Sequence, residues 1–138
     1  MSRAGGRRRR ARELALRVLF EIEGTTKDVE RALDYQAEDT GASADVSAYA
    51  RELVVGTLRH VESIDAAISA ASDNWDLIDL GKVERAVLRM GTYELLHEIE
   101  TPLAVSIDES LELSRVYAGD DSVSLVNGVL ARISRERV

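Results

Sequence analysis

The chain of 138 residues contains no cysteine, one proline and few aromatic residues. Without cysteine it forms no disulfide and no thiolate metal site, which is compatible with the reducing cytoplasm where we expect the protein. The single proline, with only one Phe, one Trp and four Tyr, favours a chain that is helical throughout. No segment approaches the roughly 20 apolar residues of a membrane span, so we expect no contact with a membrane.

Positive charge is concentrated at one end of the sequence. Residues 1–20 hold seven Arg and one Glu, a balance of +6, whereas residues 21–138 hold 11 Lys or Arg against 24 Asp or Glu, a balance of −13. A polyanion such as RNA would be attracted to the first segment and repelled by the rest. A disordered, solubilising tail has the same composition, so the arginines by themselves leave both interpretations open.

Apolar residues recur at three- and four-residue steps along most of the chain, which predicts an all-α protein with about seven helices. We expect residues 1–7 to be a flexible basic arm and residues 8–138 to form a single all-helical domain. The first helix should begin near Arg8, and residues 46–71 should form one long continuous helix.

Phe20 departs from the apolar stripe of the first helix. At 100° per residue it lies about 180° from Ala11 and at the azimuth of Arg9. Packing against a neighbouring helix would explain its position. An aromatic platform beside the arginines, suited to stacking on unpaired bases, would explain it equally well. The stripe itself consists of Ala11, Leu14, Ala15, Val18, Leu19 and Ile22.

The sequence contains no recognisable catalytic motif, and we expect neither enzymatic activity nor a cofactor. Glu94 and His97 have the Glu-x-x-His spacing of di-iron bundles, but the motif occurs once and cannot fill a coordination sphere. We therefore expect no metal site. Since Glu94 lies on the buried stripe of its helix, a structural hydrogen bond is the expected role of its carboxylate.

Three blocks stand out in the second half of the chain: KVERAVLR at residues 82–89, PLAVSIDESLEL at residues 102–113 and LVNGVL at residues 125–130. Together with the basic run at residues 7–12 that precedes them, they resemble the NusB family of bacterial transcription antitermination factors. The resemblance implies an all-helical fold of two packed three-helix groups. It also implies that NusE, the ribosomal protein S ten, is a partner and that the two proteins bind boxA RNA in ribosomal RNA leader transcripts. The complex would then help RNA polymerase to read through terminators.

The same resemblance implies which residues carry these contacts. Block by block, it assigns RNA binding to Arg7, Arg8, Arg9, Arg10, Arg12 and Phe20, and partner binding to Glu84. We also predict partner binding by Arg85 and Arg89, which should lie on the exposed side of their helix and could join either surface. Asn127 completes the predicted partner set, although a plain surface position would explain it equally well. Guanidinium groups suit the first role because they pair with phosphates and stack on bases. Gly128 lies within the third block, where a mid-helix glycine costs about 1 kcal/mol relative to Ala, and a close helix approach would explain it.

Two other interpretations compete with RNA-dependent antitermination. A helical protein-interaction or scaffold module of the same fold would need no RNA binding of its own, although it would have little use for a balance of +6 in twenty residues. An enzyme is the third interpretation, and the absence of a positioned nucleophile argues against it. The sequence leaves open whether the free protein is a monomer or a homodimer.

Overall fold

The computed structural model describes the backbone of residues 3–72, 76–98 and 100–137, and within them the side chains from Gly6 to Glu136. Those residues contain seven α-helices, one 3₁₀ helix at Leu77–Asp79 and no strand. The helices are α1 (Arg3–Ile22), α2 (Val29–Thr40), α3 (Ala44–Arg59), α4 (Val61–Ala71), α5 (Lys82–His97), α6 (Leu103–Ala118) and α7 (Asp121–Arg137). The prediction of an all-α chain with about seven helices is confirmed.

The chain divides into two compact units, Met1–Gly56 and Thr57–Val138. The boundary lies within α3, so unit 1 contains α1, α2 and most of α3, while unit 2 contains α4 to α7. The single domain predicted over residues 8–138 stays a prediction. None of the described helices is long and apolar enough to cross a bilayer.

In unit 1 the apolar stripe predicted for α1 is buried, with every member at most 8% exposed. Helix α1 packs against α2, which begins where the Asp28 carboxylate accepts a hydrogen bond from the Arg31 backbone N–H at 3.0 Å. Asp28 thus satisfies one of the backbone donors that every helix start leaves unpaired. Helix α2 is capped at its C-terminal end by Gly41, whose φ of +66° is the left-handed conformation that glycine adopts without strain.

Helix α1 begins earlier than the sequence predicted. Its start at Arg3 makes residues 3–7 helical, whereas the sequence placed the start near Arg8 because two adjacent glycines are costly inside a helix. Residues 1 and 2 of the predicted arm lie outside the described residues. The flexibility predicted for residues 1–7 stays a prediction.

The continuous helix predicted over residues 46–71 is wrong, because the chain turns at His60 between α3 and α4. His60 has φ −108° and ψ 19°, and its carbonyl accepts the first hydrogen bond of α4, from the Ile64 N–H at 2.9 Å. Its ring stacks on that of His97 with 4.1 Å between centroids. Residue 60 is neither Pro nor Gly, and apolar residues continue at three- and four-residue steps on both sides of it. The sequence therefore gives no local sign of the turn.

Helix α5 is the central element of unit 2 and packs against α4, α6 and α7. The close approach occurs at Gly91, where an added Cβ would lie 2.7 Å from Ser110 Oγ of α6 and 3.2 Å from Leu130 Cδ1 of α7. Gly128 is exposed, and a Cβ there would meet no atom within 4 Å. The close helix approach predicted at Gly128 is therefore wrong, and Gly91 is the glycine that packing requires.

Candidate nucleic-acid and partner surfaces

Four consecutive arginines form an exposed basic surface on the first turns of α1. This basic surface consists of Arg7, Arg8, Arg9 and Arg10, all of which are exposed. Successive helical residues differ by 100°, so the four side chains radiate around the helix axis instead of lining one stripe. A flexible polyanion could therefore contact several of them at once by wrapping around this end of the helix.

Arg12 differs from these four because its side chain is buried, at 2% exposure. It lies next to Ala11, a member of the buried stripe of α1. A phosphate cannot reach a guanidinium in that position without displacing packed side chains. The assignment of Arg12 to the RNA surface therefore needs correction, since its burial points to a structural role.

Phe20 exposes 42% of its surface, which separates it from the buried stripe of α1. It lies 11 residues beyond Arg9 at nearly the same azimuth, about 16 Å along the helix axis. Arg17, which was not among the predicted RNA-binding residues, is also exposed and lies one turn before Phe20. The three-residue spacing from Arg17 to Phe20 indicates this proximity. The outer face of α1 thus has cations at its start and a cation beside its aromatic residue.

Two arginines of the basic surface contact the first turns of α3. The Arg7 guanidinium Nη1 donates to Asp45 Oδ2 at 3.3 Å, and Arg8 Cζ lies 4.2 Å from the centroid of the Tyr49 ring. Arg7, Arg8, Asp45 and Tyr49 together line a pocket of about 210 Å³. Asp45 and Tyr49 were not predicted as parts of this site, because α1 and α3 are far apart in the chain and only the folding of unit 1 brings these side chains together.

Glu84, the first of the predicted partner-binding residues, joins the starts of two helices. One carboxylate oxygen accepts a hydrogen bond from the Gly81 backbone N–H at 3.0 Å, immediately before α5. The other accepts from the Ser122 hydroxyl at the start of α7. Glu84 therefore stabilises the junction of α5 and α7 within unit 2, whatever its role toward a partner.

Arg85 and Arg89 are half-buried, whereas the sequence placed them on the exposed side of α5. Arg85 donates to the backbone carbonyl of Leu80, in the segment that precedes the helix. Arg89 forms a two-pronged ion pair with Asp65 of α4, with Nε to Oδ1 at 2.8 Å and Nη2 to Oδ2 at 3.0 Å. The expectation that they are exposed is wrong, because they hold neighbouring segments of unit 2.

Asn127 is the predicted partner residue that the structure exposes most, on α7. Glu84, Arg85 and Arg89 lie on α5, and the hydrogen bond from Ser122 to Glu84 joins α5 to the start of α7, the helix that carries Asn127. The basic surface and Phe20 belong to unit 1, and the four partner residues belong to unit 2. Their binding roles stay predictions.

Glu94 and His97 serve separate structural purposes. The Glu94 carboxylate is 1% exposed and accepts a hydrogen bond from the Ser106 hydroxyl at 3.2 Å, as predicted. The His97 ring stacks on His60 and, at 5.3 Å between centroids, on Tyr93. Burial and, second, the nearby charge of His60 lower the pKa of His97 below its usual value. Within the described residues, no group of three or more His, Cys, Asp or Glu is placed to hold a metal ion.

The sequence matches the model of the NusB family over residues 9–135. The transcription antitermination protein NusB of Desulforamulus reducens is 40% identical over 126 residues, which cover 91% of this chain and 88% of that protein. The NusB of an Exiguobacterium species is 40% identical over 130 residues, covering 94% of this chain and 98% of its own.

Solved structures agree with this similarity. T. maritima NusB superposes with a TM-score of 0.86 at 36% identity, covering 94% of this chain and 91% of that one. A crystal structure of the antitermination factors NusB and NusE in complex with dsRNA contains a chain with a TM-score of 0.87 at 28% identity, covering 95% of this chain and 98% of that one.

Proposed function

The chain belongs to the NusB family, and from that premise we propose that it is an RNA-binding transcription antitermination factor. Together with NusE, the ribosomal protein S ten, it binds boxA RNA in ribosomal RNA leader transcripts and joins the antitermination complex of RNA polymerase in the cytoplasm. The role is binding and not catalysis. The NusB relative crystallised with NusE and dsRNA supports NusE as the partner and RNA as the class of ligand.

The observation that carries this proposal is the basic surface on an otherwise acidic chain. Four exposed arginines lie in the first turns of α1, in a segment with a balance of +6, while the remainder of the chain has a balance of −13. RNA approaching elsewhere meets a net negative charge, so the basic surface directs the encounter. Phe20, which is exposed further along the same helix, supplies a face on which an unpaired base can stack.

The acidic remainder of the chain also supports a need for NusE. Each contact between an arginine and a phosphate releases counterions and so favours binding. The negative charge of the remaining chain repels the part of the RNA strand that extends beyond the arginines. A partner that contributes further cations would extend the binding surface. We therefore expect weak RNA binding by the free protein and stronger, boxA-selective binding by the complex with NusE.

The test is fluorescence anisotropy with a boxA-containing oligonucleotide and a scrambled one, with and without NusE, over a series of salt concentrations. If four phosphates are neutralised, the logarithm of the binding constant should fall with the logarithm of the salt concentration at a slope of about −3. The double variant Arg9→Ala/Arg10→Ala should flatten that slope by about 1.4.

A matched control removes two exposed arginines from unit 2. Arg115→Ala/Arg135→Ala changes the net charge by the same amount and should leave the slope unchanged. If the two double variants changed the salt slope equally, the net charge of the protein, and not the basic surface, would determine RNA binding. Equal, feeble binding to both oligonucleotides, unaffected by NusE, would overturn the proposal in favour of a scaffold module of the same fold.

A further inference from the structure

The first two turns of α3 present two side chains to the basic surface. Asp45 and Tyr49 are four residues apart, so they lie on the same face of the helix, one turn from each other. Asp45 contacts Arg7, and Tyr49 contacts Arg8. One helix therefore contacts two adjacent arginines with two different kinds of group, an anion and an aromatic ring.

The contact between Tyr49 and Arg8 restrains the arginine without neutralising it. The guanidinium carbon lies 4.2 Å from the ring centroid, within the range of a cation–π interaction. The Tyr49 ring is half-buried and belongs to a helix, so it is held more rigidly than a long exposed arginine side chain. Arg8 keeps its full charge and its N–H donors for a phosphate or a base.

The contact between Asp45 and Arg7 has the opposite character. A single pair of atoms approaches to 3.3 Å, and the side chains of Arg7 and Asp45 are 53% and 80% exposed. So exposed an ion pair is weak and easily exchanged. A phosphate oxygen is the same kind of acceptor as the Asp45 carboxylate, so a bound RNA strand and Asp45 compete for the Arg7 guanidinium.

We propose that α3 sets the RNA-competent state of the basic surface, with Tyr49 positioning Arg8 and Asp45 occupying Arg7 until RNA replaces it. Tyr49 is a positioning residue in this arrangement, and Asp45 is an internal competitor that weakens binding. The inference rests on the proposed function, because it concerns how the same surface receives RNA. It adds two residues from a different helix to that surface and gives them opposite effects on affinity.

The role of Tyr49 is tested by replacing the ring and by keeping it. Tyr49→Leu should weaken binding of a single-stranded RNA oligonucleotide about three- to fivefold, since Arg8 is no longer held by the ring and has to be ordered when RNA binds. Tyr49→Phe should bind within about twofold of the unaltered protein, because it retains the ring face. In an Arg8→Ala background, Tyr49→Leu should cause no further loss. A further loss of the same size there would overturn positioning through Arg8.

The role of Asp45 is tested by removing its charge. Asp45→Asn should strengthen RNA binding about threefold at low salt, because an exposed ion pair of ordinary strength no longer competes with RNA for Arg7, and the gain should shrink as salt rises. In an Arg7→Ala background the gain should disappear. If Asp45→Asn still raised the RNA affinity without Arg7, Asp45 would be repelling RNA in general, and the proposed competition between Asp45 and RNA for Arg7 would be overturned.

Using the boxA and scrambled oligonucleotides together separates this inference from the proposed function. If the protein bound both oligonucleotides equally, and the Tyr49 and Asp45 variants changed its affinity for both as predicted, the proposed function would be refuted and the role of α3 supported. Retained boxA preference with variants that all bind like the unaltered protein would refute the role of α3 and support the function. Thermal unfolding of each variant shows whether the fold is retained, and Tyr49→Met, which also lacks the ring but keeps a long apolar side chain, replaces Tyr49→Leu in the test if that variant unfolds.

Discussion

Replacing Gly91 with Ala should destabilise the protein even though alanine is the better helix former. Helix α5 passes close to α6 and α7 at this position, and the new methyl group would lie 2.7 Å from Ser110 Oγ. It would also lie 3.2 Å and 3.4 Å from the two terminal methyl groups of Leu130. Real Cβ atoms do not approach an oxygen to 2.7 Å, so one of the helices or side chains must move.

The size of the effect follows from two opposing contributions. Overpacking a dense helix interface costs about 1–3 kcal/mol. Exchanging a mid-helix glycine for alanine returns about 1 kcal/mol. The expected net loss for Gly91→Ala is therefore about 1 kcal/mol. Gly128 provides the matched control, because its Cβ would meet no neighbouring atom, and Gly128→Ala should raise the free energy of unfolding by about 0.5–1 kcal/mol.

Urea unfolding followed by circular dichroism measures both variants. With a slope of about 2 kcal/mol per molar urea, the midpoint should fall by about 0.5 M for Gly91→Ala and rise by up to about 0.5 M for Gly128→Ala. Ser110→Ala should restore most of the stability lost in Gly91→Ala, because it removes the oxygen that the methyl group meets. If Gly91→Ala stabilised the protein as much as Gly128→Ala does, the inferred close approach at Gly91 would be refuted.

Three further perturbations test other contacts of unit 2. The lowered pKa of His97 means that the unfolded chain binds the proton more readily, so the free energy of unfolding should fall as the pH drops below about 6.5, the ordinary pKa of histidine. His97→Gln should reduce that dependence in urea unfolding at several pH values, and an unchanged dependence would contradict the assignment. Asp65→Asn should cost about 1 kcal/mol by breaking the ion pair with Arg89, less at high salt, and a loss independent of salt would argue against an electrostatic origin. Glu84→Ala should lower the free energy of unfolding by about 1–2 kcal/mol, because it removes the acceptor of two hydrogen bonds. Ser122→Ala should lower it by about half as much, because it removes only one of the two donors. Equal losses of stability in the two variants would contradict the view that Glu84 accepts two hydrogen bonds.

The elements that could be predicted from the sequence are those that depend on local patterns. The apolar stripe of α1 is buried as predicted, because residues spaced three or four apart share a helix face wherever the helix packs. The burial of Glu94 and its hydrogen bond followed from the same reasoning. The three sequence blocks that resemble the NusB family agree with the family match over residues 9–135.

Predictions that depended on the neighbours of a side chain were less successful. Arg12 carries the same charge as the exposed arginines before it, but the packing around α1 buries it. Arg89 is half-buried and not exposed as predicted, because the position of α4 brings Asp65 within 3 Å of it. Gly91 and Gly128 are both mid-helix glycines in sequence, and only the neighbouring helices distinguish them.

The sequence by itself therefore determined the all-α class, the family and the separation of a basic segment from an acidic remainder. Composition and three- to four-residue periodicity are properties of the chain that hold whatever the helices pack against. The tertiary structure alone decided the turn at His60, the partners of Arg7 and Arg8, and which glycine requires the absence of a side chain. Each of these depends on atoms that are distant in sequence and near in space, and a local pattern carries no record of such distances.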